Sequence, residues 1–217
     1  MSDTEMSWML VSLCSAACFA SVFKSLRRYP ISPYQANCGM SVLHAMIIVV
    51  LATLAVQEKQ GTSSTPLQAI TLSVSLGYFM VDIFLCVLIP PVDKAAFVHH
   101  VACIAGQIAS LNGGGYGQNL CLNLLSAEIS TPFLYAFKTG LAGKGSFQEF
   151  ICKGLFCSLF LTARFVYAPF LAKELFLSEA SIVIKTSCVT ILAVSALWAC
   201  QIVSEIVAFF KTSQYSK

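Results

Sequence analysis

The sequence predicts an all-α, polytopic membrane protein with seven transmembrane helices. Hydrophobic residues make up 57% of the 217-residue chain and charged residues only 11%, with a mean hydropathy of +0.78; a soluble domain carries roughly 25% charge to cover its surface. Apolar runs close to the roughly 20 residues that cross a bilayer recur along the whole length. The breaks between them are short and rich in proline, glycine, serine and charge, as helix connectors are. Seven spans with such connectors use nearly the whole chain, so no appended soluble domain is expected.

The first run, Trp8 to Phe23, follows the acidic residues Asp3 and Glu5 and precedes Lys24, Arg27 and Arg28. A secretory signal peptide has the reverse polarity, so this run reads as a retained span near 8–24. Prolines between Tyr29 and Pro33 are expected to keep helices out of that stretch, which puts the second span near 40–56. The third lies near 67–89 and ends at Pro90 and Pro91, since proline lacks the N–H that would continue a helix. The fourth, near 95–111, and the fifth, near 118–137, are joined by a tight glycine-rich turn at Asn112–Gly117. Pro132, one turn after Glu128, is expected to loosen the fifth. The sixth lies near 150–171 and the seventh near 180–210.

Alternation of seven spans puts Lys24, Arg27, Arg28, Lys94, Lys138, Lys144, Lys153, Lys211 and Lys217 on one side and Lys59, Lys173 and Lys185 on the other. Basic loops stay cytosolic, so the N-terminus is expected in the lumen and the C-terminus in the cytosol. A net charge of +3 spread over short loops gives nucleic acid nothing to bind. The ten cysteines include no Cys-x-x-Cys pair and mostly sit inside apolar runs, where a thiol behaves as a small hydrophobe. Three histidines are too few for a di-iron centre. A zinc site from His44, His99 or His100 with Asp82 has no tight ligand spacing behind it, so neither a metal nor a bound cofactor is expected. The glycines at Gly113–Gly115 follow a helix rather than a strand and form a turn, not a phosphate loop.

Ionisable side chains inside a span cost several kcal/mol unless they meet a partner or a cavity, which makes them the candidates for function. They are His44, Asp82, His99, His100, Glu128 and Arg164. Asp82 lies eight residues before Pro90, about 12 Å from the cytosolic end, with Tyr78 one turn deeper on the same face. His44, His99 and His100 are expected about one turn inside that same end. A carboxylate that fixes an imidazole tautomer makes it a general base or nucleophile near neutral pH, so Asp82, His99 and His100 form the candidate catalytic group. His44, Tyr78, Glu128 and Arg164 are candidates for holding substrate. Neighbouring helical residues point about 100° apart, so only one of His99 and His100 can face a cavity squarely. The same side chains would equally serve as glue between helices, with Glu128 and Arg164 pairing with each other.

Five fragments stand in order along the chain: Ser41-Val42-Leu43-His44-Ala45, Gly77-Tyr78-Phe79-Met80-Val81-Asp82, His99-His100, Glu128-Ile129-Ser130-Thr131-Pro132-Phe133, and Arg164-Phe165. This order resembles the TLC-domain family, named for the TRAM, Lag and CLN proteins, and is similar to its small transmembrane members. The resemblance implies a six-helix barrel over 36–210 around a lipid-accessible cavity. Residues 1–35 would hold the tail, first span and first cytosolic loop, and 211–217 a short cytosolic tail. It implies residence in the endoplasmic reticulum or another endomembrane. In the ceramide synthase branch the paired histidines belong to the acyl-transfer site, which implies that role for His99 and His100. That branch follows its histidine pair with a segment rich in Asp and Asn, whereas here the stretch carries only Glu128 as an acid; the departure bears on ceramide synthesis, not on the cavity. The expected activity is lipid acyl transfer or lipid remodelling with acyl-CoA as co-substrate. The alternative is a non-enzymatic lipid-binding, lipid-trafficking or membrane-composition protein using the same cavity. Membrane lipids and acyl-CoA are the expected partners, and a homodimer is left open as an assembly.

Overall fold

A computed structural model describes residues 3–58 and 63–215. Lys59 and Lys217, used above in the charge count, lie outside the described residues. Every regular element among those residues is helical: α1 Asp3–Leu26, α2 Pro33–Ala55, α3 Pro66–Leu88, α4 Lys94–Gly113, α5 Gly117–Glu128, α6 Thr131–Lys138, α7 Phe147–Thr162, a π-helical turn Ala163–Tyr167, α8 Ala168–Leu177 and α9 Ile182–Tyr215.

Six segments are long and apolar enough to cross a membrane: Met6–Leu26, Pro33–Ala55, Pro66–Leu88, Gly117–Lys138, Phe147–Leu177 and Ile182–Val207. The seventh long helix is α4, with 20 residues and so about 30 Å of length. It is more polar because it carries His99, His100, Gln107 and Asn112, and it lies between α3 and α9. The chain is thus an all-helical polytopic membrane protein.

Capping chemistry sets the helix starts. Ser32 accepts from the Gln35 N–H while the Gln35 side chain accepts from the Ser32 N–H, with Pro33 in the first turn. Thr65, Gln68 and Pro66 repeat the arrangement at α3. Such a box satisfies two N–H groups that a helix start otherwise leaves unpaired, and proline suits the first turn because its missing N–H is not needed there. Pro33 therefore opens α2 rather than keeping helix away, and the second span begins seven residues earlier than the expected 40.

Six spans close a ring in the order α2, α3, α4, α9, the α7–α8 span and the α5–α6 span, which returns to α2. Helix α1 lies outside this ring, packed on α3. Close approach of the two depends on Gly77, where a Cβ would fall 2.5 Å from the Ser12 carbonyl oxygen and 2.7 Å from the Ala16 nitrogen. Small residues at helix crossings are how membrane helices gain packing contact, and the Ser15 hydroxyl donates across the same crossing to the Val74 carbonyl at 2.8 Å.

Two connectors meet at one end of the bundle. Gly114 ends α4 in the left-handed region (φ 63), and its carbonyl accepts from Ser64 N at 2.6 Å. The Gly117 N–H donates to Ser64 Oγ at 3.0 Å, so the α2–α3 and α4–α5 connectors meet. The fifth span breaks between Glu128 and Thr131, where Pro132 removes a backbone donor. The sixth widens into the π turn just before Pro169, and such turns absorb a lost helical hydrogen bond.

Candidate functional site

Two adjoining chambers lie within the ring. The outer one holds about 1550 Å3 of empty space, its open mouth included, and reaches Tyr34, Asp93, Lys138 and Glu205 at one end of the bundle. Asp82, Tyr78, His99 and His100 line it. The inner chamber, about 710 Å3 of empty space with its opening and the gaps between side chains included, is walled mainly by apolar side chains such as Leu120, Leu124, Leu175, Ile191 and Leu192. Phe79, His99, Ala127, Glu128 and Arg164 border both. The cavity therefore has a polar mouth, an ionisable waist and an apolar interior, the profile of an amphiphile.

Depth is set by helix register. Asp82 lies six residues before the end of α3 and His100 six residues after the start of α4, about 9 Å in from the same face in both cases. Their side chains meet: His100 Nδ1 lies 3.5 Å from Asp82 Oδ2. That is an electrostatic contact at the outer limit of hydrogen bonding. The Tyr78 hydroxyl lies 3.0 Å from the same Oδ2 and 2.9 Å from Ser41 Oγ. Its one proton goes to the carboxylate, the stronger acceptor. Asp82 Oδ1 is buried and has no partner.

His99 points elsewhere. Its Nε2 is 3.5 Å from Cys103 Sγ on its own helix, its ring centre lies 5.3 Å from that of Trp198, and its buried Nδ1 has no partner. Both histidines border the outer chamber, although about 100° apart on α4; only His99 also borders the inner one.

His44 is not among the residues that line either chamber. With α2 starting at Pro33, it lies eleven residues into the helix, about 16 Å deep, rather than one turn. It is fully buried and stacked on the Tyr78 ring, 3.8 Å between centroids and 11° between planes. Its Nε2 meets Ser75 Oγ at 3.3 Å, and Gln107 Nε2 donates to that oxygen at 3.1 Å. His44 thus supports Tyr78 from behind.

Glu128 and Arg164 do not pair as expected from the sequence: the ion pairs within 4.0 Å among the described residues are His44–Glu128, His100–Asp82 and Lys153–Glu149. Glu128 Oε1 is 3.9 Å from His44 Nδ1. Arg164, only 8% exposed, has a buried Nε with no partner. An arginine placed in mid-span costs about 2.5–3.5 kcal/mol on insertion scales, so the cavity it borders is what makes it tolerable.

One group of donors has the right size for a metal ion. Asp82 Oδ2, Cys86 Sγ and His100 Nδ1 lie 3.5, 3.9 and 3.4 Å from one another, against edges of roughly 3.3–3.6 Å for tetrahedral zinc. Cys86, one turn after Asp82 on α3, reads in the sequence as one of the small hydrophobes inside apolar runs, and its i, i+4 spacing from Asp82 is the signal that marks it as a neighbour of the carboxylate. Tyr78 already occupies one lone pair of Oδ2, which favours a hydrogen-bonded imidazole–carboxylate couple over an ion.

The family assignment follows the same residues. The TLC domain family matches the chain over residues 35–210, the stretch that forms the ring, and the chain belongs to that family. No solved structure matches it.

Proposed function

We propose that this TLC-domain protein is a lipid acyltransferase or lipid-remodelling enzyme of the endoplasmic reticulum or another endomembrane, using cytosolic acyl-CoA. The carrying observation is the His100–Asp82 couple on the wall of a cavity whose far half is apolar. The acyl chain would lie in the inner chamber with its thioester carbonyl at the waist. His100 would take the proton of an acceptor hydroxyl or amine while that atom attacks the carbonyl, and Asp82 would stabilise the imidazolium that forms. The carbon–sulfur bond then breaks and coenzyme A leaves with the proton. The mouth lies at the end bearing Lys24, Arg27, Arg28, Lys94, Lys138 and Lys144, which the positive-inside rule assigns to the cytosol.

Purified protein supplied with labelled acyl-CoA and an endomembrane lipid extract should release free coenzyme A. His100→Ala should lower that rate by about 10²–10⁴, the range for a positioned general base. Turnover no faster than that of the His99→Ala/His100→Ala double variant, with every acceptor lipid, would sink the enzyme reading.

One observation favours a second reading. Cys86 Sγ is nearer to His100 Nδ1, at 3.4 Å, than Asp82 is, so the couple is not closed in this state. A protein that holds or moves a lipid without chemistry needs only the cavity. Lipid profiles of knockout cells separate the two, because the double alanine variant would restore the profile only if no chemistry is involved.

A further inference from the structure

Three residues that border the inner chamber each carry a buried polar atom without a hydrogen-bond partner: Arg164 Nε, His99 Nδ1 and Gln107 Oε1. Unpaired polar atoms are rare in folded interiors, and each calls for a reason. His99 and Arg164 border both chambers, and Gln107 lies two turns beyond His99 along α4 in the wall of the inner one. Arg164 is the dominant one. More than nine-tenths buried, it is carried by a π-helical turn, a distortion found disproportionately at functional sites. The nearest candidate counter-ion, Glu128, approaches His44 instead and makes no ion pair with Arg164 within 4.0 Å.

We infer that the inner chamber is a subsite for a single-chain fatty acid, its carboxylate held by the Arg164 guanidinium and its hydrocarbon chain lying along Leu120, Leu124 and Leu175. A guanidinium presents a planar fork that matches the two oxygens of a carboxylate, and such paired, charge-assisted bonds are the strong ones. Charge selects the headgroup: a phosphate monoester carries about −1.5 to −2, more than one guanidinium can offset beside the carboxyl of Glu128. A carboxylate of single charge leaves the smaller excess. The subsite deepens the lipid-cavity reading and rests on it. The same waist would receive the carbonyl of a bound acyl group, and a free fatty acid would occupy it as a product or inhibitor.

Binding to the purified full chain in detergent tests this by displacement of a fluorescent fatty acid with oleic acid, oleyl alcohol and oleoyl lysophosphatidic acid. Oleic acid should displace the probe at least tenfold more tightly than the alcohol, with the lysophosphatidic acid weaker than the acid. Arg164→Gln should reduce the acid to the level of the alcohol. Glu128→Gln should tighten the acid several-fold by removing a like charge, whereas a structural Glu128–Arg164 pair would make that variant weaker and less stable. Equal binding of acid and alcohol by the unaltered protein would overturn the role of Arg164 while leaving a lipid cavity. Tighter binding of the lysophosphatidic acid would overturn the carboxylate assignment. Failure of all three to displace the probe, or of the probe to bind, would remove the cavity reading itself. Because the headgroup series uses unaltered protein, the proposal does not depend on the variants folding.

Discussion

Asp82 has three neighbours around one carboxylate oxygen, and their distances decide the order of their effects. Tyr78 at 3.0 Å makes a full hydrogen bond, His100 at 3.5 Å a long contact, and Cys86 at 3.9 Å a weak thiol contact. Tyr78 thus holds the carboxylate in place, and His44, stacked on the phenol ring, holds Tyr78. Tyr78→Phe keeps the stack and removes only the proton, a loss of about 0.5–1.5 kcal/mol for one hydrogen bond. Acyl-CoA turnover should then fall roughly 3- to 10-fold in kcat with KM little changed, as expected for a residue that positions Asp82 without touching the substrate. A KM effect with unchanged kcat would instead place the phenol against the substrate. The meeting of Asp82 with the α4 histidines could be read from spacing, because depth along a helix follows from counting residues at 1.5 Å each. Which histidine pairs with Asp82 could not, since that depends on the rotation of α4 against α3. The burial of His44 was missed for a different reason: the Ser-x-x-Gln signature at Ser32–Gln35 is visible in the sequence, and weighing it above the prolines would have moved the helix start and the depth with it.

Each span draws its place from a local device at its end or its middle. Capping boxes begin α2 and α3, the break after Glu128 divides the fifth span, and the π turn carries Arg164 to the waist. The loosened fifth span was legible from Pro132 one turn after Glu128. The π turn had a comparable signal in Pro169, but proline alone does not say whether a helix will kink, break or widen. Between elements, the tightest constraint is Gly77 at the crossing of α1 and α3, where the obstructing atoms are backbone and cannot swing aside. Gly77→Val should therefore destabilise the purified protein by about 1–3 kcal/mol, the usual cost of overpacking, and lower its melting temperature in detergent. Gly154 is the internal control: a Cβ there meets nothing within 4 Å, so Gly154→Ala should leave stability unchanged or raise it by up to about 1 kcal/mol. Equal effects at the two positions would mean that α1 does not pack as described.

At the scale of the whole molecule, hydropathy alone separates the spans but not their neighbours. Apolar runs of bilayer length are local properties, whereas the ring order that sets α9 beside α4 and returns the fifth span to α2 arises from packing between distant segments. The two chambers follow from that order, which is why the polar residues could be assigned to a common depth but not to separate walls. What the ring does not fix is which end faces the cytosol. Seven alternating spans place the termini on opposite sides, and the basic residues at the cavity mouth favour the cytosol there, where polybasic loops are retained. The chain contains no Asn-x-Ser/Thr sequon, so an engineered one reports its position without background. A sequon placed before Trp8 should be glycosylated in microsomes, adding one glycan to the apparent mass, and one appended after Lys217 should remain unmodified. The reverse pattern would turn the mouth toward the lumen, away from the cytosolic acyl-CoA that the proposed reaction consumes. Modification at both ends would break the seven-span alternation itself, and with it the common depth of Asp82 and His100 from which the proposed chemistry begins.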